Sequence, residues 1–197
     1  MRICFVGDSF VNGTGDPEGL GWVGRICAAA CGKGYDLTYY NLGIRRETST
    51  DISDRWFVEV ARRLPKEFDG RIVFSFGVND TTDENAKTRV VPEDSLANLY
   101  SILNRAKQQF PVLMVGPPPV ADQAQTARIV HLSEQFAMIC NQLKVPYLEV
   151  VTPLQASNLW MSEIANNDGA HPRSAGYAEL AQLVQDWTAW MAWFPPI

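Results

Sequence analysis

The sequence predicts an α/β fold, a five-stranded parallel sheet with helices on both faces. Three observations lead there. Apolar runs of four to six residues recur along the chain. Each run ends in loop-forming chemistry, as buried parallel strands do. Between the runs lie longer stretches whose apolar residues fall at helical spacing, and strand–helix alternation with right-handed crossovers makes a parallel sheet covered on both sides.

The strands are expected at Ile3–Val6, Leu37–Asn41, Arg71–Phe76, Val112–Val115 and Val145–Val150. The first stops at Gly7, the second before Gly43, the third at Gly77, and the fourth at Gly116 and the run Pro117-Pro118-Pro119. Helices are expected over Trp22–Ala30, Ile52–Leu64, Leu96–Phe110, Thr126–Leu143 and Ala175–Ala192. In the second of these, Ile52, Trp56, Val60 and Leu64 repeat at i+4 and share one face, and Pro65 ends the helix. Trp187, Trp190 and Trp193 recur at a spacing of three, which reads as a packed stripe on the last helix; the alternative is a face for a second copy of the chain. No repeat, low-complexity tract or linker interrupts the pattern, so residues 1–197 read as one domain.

Composition narrows the function classes. Seventeen basic and 22 acidic residues give a formal charge of −5, and Arg45-Arg46 and Arg62-Arg63 are too short to track a phosphate backbone, so no nucleic-acid partner is expected. Cys4, Cys27, Cys31 and Cys140 have no Cys-x-x-Cys spacing and sit in apolar segments; they read as reduced core thiols, with no metal site expected. The N-terminal run is too short for a secretory leader and no stretch is long enough to span a bilayer, so a cytoplasmic chain without membrane insertion is expected.

In an open parallel sheet, ligands sit beyond the carboxyl ends of the strands. Four segments fall there or just before the last helix: Gly7-Asp8-Ser9, Asn41-Leu42-Gly43, Gly77-Val78-Asn79-Asp80, and the loop ending Asp168-Gly169-Ala170-His171-Pro172. A serine hydroxyl is a nucleophile only with a base in reach. The chain has two histidines. His131 lies inside a helical pattern and reads as an ordinary helix residue. His171 lies in a short polar loop, and Asp168 can fold back through Gly169 and Ala170 to orient its imidazole. The N–H of Ser9, the N–H of Gly43 and the side-chain amide of Asn79 are candidate donors to an oxyanion. Each segment alone is common turn or capping chemistry; their joint order carries the signal.

At these residues the chain resembles the GDSL/SGNH hydrolases, a family named for blocks holding Ser, Gly, Asn and His. The blocks here are Gly7-Asp8-Ser9-Phe10, Asn41-Leu42-Gly43, Gly77-Val78-Asn79-Asp80 and Asp168-Gly169-Ala170-His171-Pro172. The resemblance implies a flavodoxin-like three-layer sandwich. It implies Ser9 as nucleophile, His171 as base, Asp168 as its partner, and Ser9 N–H, Gly43 N–H and Asn79 as the oxyanion hole. It implies cofactor-free hydrolysis of a small-molecule ester: esterase, lipase, thioesterase or carbohydrate deacetylase. Departures bear on substrate. Phe10 replaces the leucine of the family name, Ala170 stands where a larger apolar residue is frequent, and related sequences often have a glycine near Arg46. Asp8, Phe10, Arg45, Arg46 and Ala170 are therefore candidate substrate contacts. With Ser9 placed in a loop, the expected site is shallow and takes short acyl groups.

Other readings are weaker. Gly-x-Ser-x-Gly fails at Val11. Gly19-Leu20-Gly21-Trp22-Val23-Gly24 matches a dinucleotide fingerprint but lies too far from a strand; Gly21 and Trp22 read as the entry to the first long helix. A non-catalytic binding module on the same fold is the remaining alternative. The polar stretch Thr81–Asp94 reads either as a lid or as a solvent-facing loop.

Overall fold

The first strand is the most apolar segment near the N-terminus, and it becomes an interior strand of the sheet, paired on both sides. In the computed structural model, which describes residues 1–195, β1 (Arg2–Gly7) pairs in parallel with β2 (Thr38–Gly43) on one side and β3 (Gly70–Ser75) on the other. β6 (Val112–Val115) and β7 (Tyr147–Leu148) complete a five-stranded parallel sheet of order β2-β1-β3-β6-β7. The predicted fold class is observed.

Strand residues alternate between faces, so each strand feeds two cores. Ile3, Phe5, Val73, Leu113 and Val115 join one cluster with Trp22, Val23 and Ile26 of α2 (Gly21–Gly32) and Leu180 and Val184 of α8 (Ser174–Gln185). Cys4, Val6, Ile72, Phe74 and Met114 join the other, with Ile52, Trp56 and Val60 of α3 (Ser49–Arg63). Leu99, Ile102 and Leu103 of α4 (Pro92–Ala106) and Phe136 and Cys140 of α5 (Gln123–Leu143) close that face. Trp22 is fully buried, its ring edge-on to Phe5 at 5.8 Å. It is the packing anchor expected at the entry to α2.

Several boundaries differ from the sequence expectation. α3 starts at Ser49 rather than Ile52, because Thr48 and Asp51 form a capping box that satisfies the first turn. The last strand shrinks from Val145–Val150 to Tyr147–Leu148. Val145 N–H closes the end of α5 on the Cys140 carbonyl, and Pro146 has no N–H to give the ladder. Val151–Ala156 and Asn158–Ala165 then form α6 and α7, which the reading did not contain. The last helix stops at Gln185; a separate turn, α9 (Thr188–Met191), follows. The tryptophans therefore do not line one helix. Trp190 is buried against Phe5 and Phe194, while Trp187 and Trp193 are only half-buried at the margin of that cluster.

Cys4, Cys27 and Cys140 are buried, but Cys31 is exposed, which corrects its reading as a core thiol; all four are free. It lies on the solvent side of α2, near the helix end. The stretch 81–94 folds as a small hairpin of β4 (Asp83–Glu84) and β5 (Lys87–Thr88), then enters α4 at Pro92. Among the described residues no helix is long and apolar enough to cross a membrane.

Strand β1 leaves no room at its carboxyl end. A Cβ on Gly7 would overlap the Ser75 carbonyl oxygen and stand 2.5 Å from Val11 Cγ2. Gly7→Ala is therefore expected to destabilise the fold by about 3 kcal/mol or more, read as a lowered urea midpoint. An unchanged midpoint would show that β1 and β3 can separate at this end without cost.

Candidate functional site

The site is built at the carboxyl ends of β1, β2 and β3, which finish level: Gly7 lies opposite Gly43 on one side and Ser75 on the other. After Gly7 the chain turns at once into α1 (Ser9–Asn12), with Asp8 as N-cap accepting from Phe10 N–H at 2.9 Å. Ser9 is thus the first residue of a short helix, not a loop residue as expected. The turn is fixed by that cap and by a left-handed glycine, Gly13, at its end.

The fourth segment arrives from the far end of the chain. α7 ends at Ala165, and the loop to α8 carries Asp168 and His171. Asp168 Oδ1 accepts from the N–H groups of Ala170 (3.0 Å) and His171 (2.8 Å), and Oδ2 lies 2.7 Å from His171 Nδ1. Burial alone would raise the Asp168 pKa, but the His171 N–H, its imidazole and the Ala170 N–H hold the carboxyl below its ordinary value. His171 Nε2 lies 2.7 Å from Ser9 Oγ. With Nδ1–H donated to the carboxylate, Nε2 is left as the acceptor for the serine hydroxyl. Pro172 follows as expected, though α8 begins two residues later at Ser174. The imidazole also packs on Phe10, ring centroids 4.9 Å apart.

The cleft around Ser9 and His171 has a cavity of about 470 Å³. Phe10, Val78, Val120, Ala121 and Ala170 give it apolar surface; Arg46, Asn79, Thr82, Asp122 and Gln125 give it polar surface. Of the expected substrate contacts, Phe10, Arg46 and Ala170 line it. Arg45 does not, and Asp8 is buried under the floor at 1% exposure. The prolines 117–119 are buried too; the wall is the next segment, Val120–Asp122. Thr82 faces the cleft, but Thr88, Val90 and Pro92 line a separate cavity behind it, so most of the stretch 81–94 does not cover Ser9. His131 is an exposed residue of α5, 3.9 Å from Glu134.

The expected donors are arranged unevenly. Asn79 opens a short 3-10 turn (Asn79–Thr81), and its side-chain amide donates to the Glu47 carbonyl at 2.9 Å, leaving its other N–H for the cleft. Gly43 N–H donates to Asn41 Oδ1 at 3.0 Å and is not free. Its missing side chain serves packing instead, since a Cβ there would run into Asn12 and Asp8. Further along the same loop, Arg46 adopts φ +68°, a left-handed conformation rare for a side-chain-bearing residue. Among the described residues its N–H has no hydrogen-bond partner. The expected glycine near this position is absent, and Arg46 takes the left-handed conformation instead.

Sequence reasoning missed the groups that hold the strand-end loops. Gln125, at the start of α5, donates to the Val78 carbonyl and to the Thr82 hydroxyl. Arg55 and Glu47 tie β1, β2 and the following loop together. An Arg with Glu59 four residues on reads as a solvent-side pair, so the pattern carried no signal of burial. Among the described residues no group of three His, Cys, Asp or Glu side chains is placed to hold a metal ion.

Burial pushes the Asp8 carboxyl up to about 7, with Asp80 and Glu47 adding like charge against the Phe10 N–H; among the described residues its Oδ2 has no partner. Between pH about 4 and about 7 the folded chain keeps a proton that the unfolded chain has released. Stability therefore falls as pH rises through that interval and levels off above it. Asp8→Asn keeps the cap to Phe10 and is expected to flatten that slope, measured as urea midpoints at pH 5 and 8. An equally steep loss in the variant would exclude Asp8 as its source.

Comparison with known proteins agrees with this architecture. The family model of the GDSL-like lipase/acylhydrolases matches residues 5–179. Among solved structures, a lipase/acylhydrolase from Enterococcus faecalis superimposes with TM-score 0.73 at 19% identity, covering 93% of this chain and 92% of that one. A catalytic mutant of an acetylxylan esterase from Geobacillus stearothermophilus gives TM-score 0.77 at 17% identity, over 92% and 91%. TesA gives 0.76 at 23%, over the full length of both chains. No curated protein sequence matches the chain. With a match over residues 5–179 that includes all four segments, the chain belongs to the GDSL-like lipase/acylhydrolase family.

Proposed function

We propose that the protein is a serine esterase acting on small esters with short acyl groups. The observation that carries this reading is the 2.7 Å approach of Ser9 Oγ to His171 Nε2, with Asp168 at the same distance from the other ring nitrogen. In this reading His171 takes the Ser9 proton as Oγ bonds to the ester carbonyl carbon. The negative oxygen so formed is held by Ser9 N–H, the Asn79 amide and a backbone N–H of the β2–α3 loop. Arg46 N–H fills that third place better than Gly43 N–H, because the latter is already bonded to Asn41. His171 then protonates the leaving alcohol as its C–O bond breaks. A water, deprotonated by His171, attacks the acyl-enzyme; collapse returns the proton to Ser9 and releases the acid.

The polar rim of Arg46, Thr82, Asp122 and Gln125 suits a hydroxylated alcohol more than a fatty chain. This favours short-acyl esters of polar alcohols, the chemistry named for the acetylxylan esterase of similar fold. Thioester hydrolysis uses the same groups.

A p-nitrophenyl ester series from acetate to palmitate tests the reading. Acetate and butyrate should be cleaved and palmitate should not, and Ser9→Ala should lower kcat by about a millionfold, as loss of a triad serine does. Ser9→Ala activity equal to wild type would overturn it. The donors make a second test. Asn79→Ala should cost about 100- to 1000-fold in kcat. Arg46→Gly, which keeps the N–H and relieves the left-handed strain, should hold kcat within about twofold and raise stability by about 1 kcal/mol. A loss of kcat in Arg46→Gly as large as in Asn79→Ala would assign the role to the guanidinium instead.

A further inference from the structure

Arg55 lies in the middle of α3 with its side chain only 15% exposed, and it does not line the cleft around Ser9. Its guanidinium nevertheless reaches the parts on which the cleft is built. Nη2–H donates to the Gly7 carbonyl at 3.1 Å and to the Leu42 carbonyl at 2.9 Å. Nε–H donates to Glu47 Oε2 at 2.5 Å, and Nη1 lies 3.3 Å from Glu59 Oε2. One planar fork thus joins the residue before Asp8-Ser9, the end of β2, and the loop that carries Arg46. An ammonium group is a point charge and cannot reproduce that fork.

Glu47 is the next link. Its side chain has Arg55 as its hydrogen-bond partner, and its backbone carbonyl accepts from the Asn79 amide at 2.9 Å. The loop from Ile44 to Thr48 has no regular structure, and its own backbone closure, Glu47 N–H to the Ile44 carbonyl, is long at 3.4 Å. Thr48 and Ser49 are pinned on the far side, by Asp51 and by Asp80. Thr48 N–H, in the same peptide unit as the Glu47 carbonyl, is held by Asp51, and the Arg55–Glu47 pair tethers the side chain of that residue. The Asn79 amide donates to the carbonyl so held.

We propose that Arg55 is a positioning residue for the oxyanion donors, acting through Glu47 on Asn79. The proposal rests on the acyl-hydrolase reading above, and it extends that reading to a residue that touches neither substrate nor triad. Groups that orient a reacting group from behind commonly affect rate by about 10- to 100-fold when lost.

The test is a double-mutant cycle on p-nitrophenyl acetate hydrolysis, with Arg55→Met, Arg55→Lys and Glu47→Gln made alone and in combination with Asn79→Ala. Arg55→Met should lower kcat by about 10- to 100-fold with KM within about twofold. Arg55→Lys should fall between Arg55→Met and wild type. In the Asn79→Ala background Arg55→Met should cost less than about threefold, because the group it positions is already gone. Equal losses in both backgrounds, or a change in KM or urea midpoint with kcat intact, would make Arg55 a structural residue and overturn the proposal. If Arg55→Met does not fold, Glu47→Gln through the same cycle decides the question on the same criteria. Ser9→Ala separates the two levels: a dependence on Ser9 together with an additive cycle sinks this proposal alone, whereas activity independent of Ser9 sinks the hydrolase reading.

Discussion

The site depends first on the level register of β2, β1 and β3. Gly7 stands opposite Gly43 and Ser75, so the chain leaves all three strands at one height. Three loops distant in sequence are thereby delivered side by side. The register holds because β1 is buried on both faces, where a slip by one residue would move every side chain into the opposite core. Glycine at the ends of β1 and β2 then lets α1 fold down onto the sheet edge without a Cβ in the way.

A second constraint brings in the histidine. Asp16 accepts from the N–H groups of Glu18, Leu20 and Gly21, from Arg25, and from the Ser174 hydroxyl at the start of α8. These charge-assisted bonds outweigh its burial and hold its carboxyl well below the ordinary carboxylate range. Tyr177 adds a bond from α8 to the Thr14 carbonyl, 2.7 Å long. The segment after α1 is thus tied to the helix that follows His171. Ser9 and His171 are 162 positions apart in the chain, yet each is anchored within a few residues of this hub.

The carboxyls divide by what surrounds them. Asp16 and Asp168 gather donors and stay charged. Asp8 and Asp80, under the floor of the cleft, have fewer donors than oxygens to satisfy, and burial raises both. Below pH about 7 a proton retained on Asp8 removes one negative charge next to Ser9. Arg55 acts in the same region and in the same sense, neutralising Glu47 where the β2–α3 loop turns over the sheet edge.

What the sequence determined by itself was the alternation and its ends. Apolar runs stopped by glycine fixed β1, β3 and β6 nearly to the residue, because burial on both faces leaves no other way to pattern a strand. Three of the segments were legible because they follow strand ends and the fourth because it is the polar loop before α8, and their joint order made the family legible too. The edge of the sheet was not: β7 keeps two residues because Pro146 and the α5 cap compete for its backbone, a contest decided by neighbours. Nor was the wiring behind the cleft. That Gly43 packs while Arg46 turns left-handed, that Asp8 is sealed beneath Ser9, and that Arg55 reaches inward rather than to water, all depend on which surfaces meet when the sheet closes. Periodicity records which residues are apolar; the partners of a buried charge or a backbone N–H are chosen only by tertiary packing.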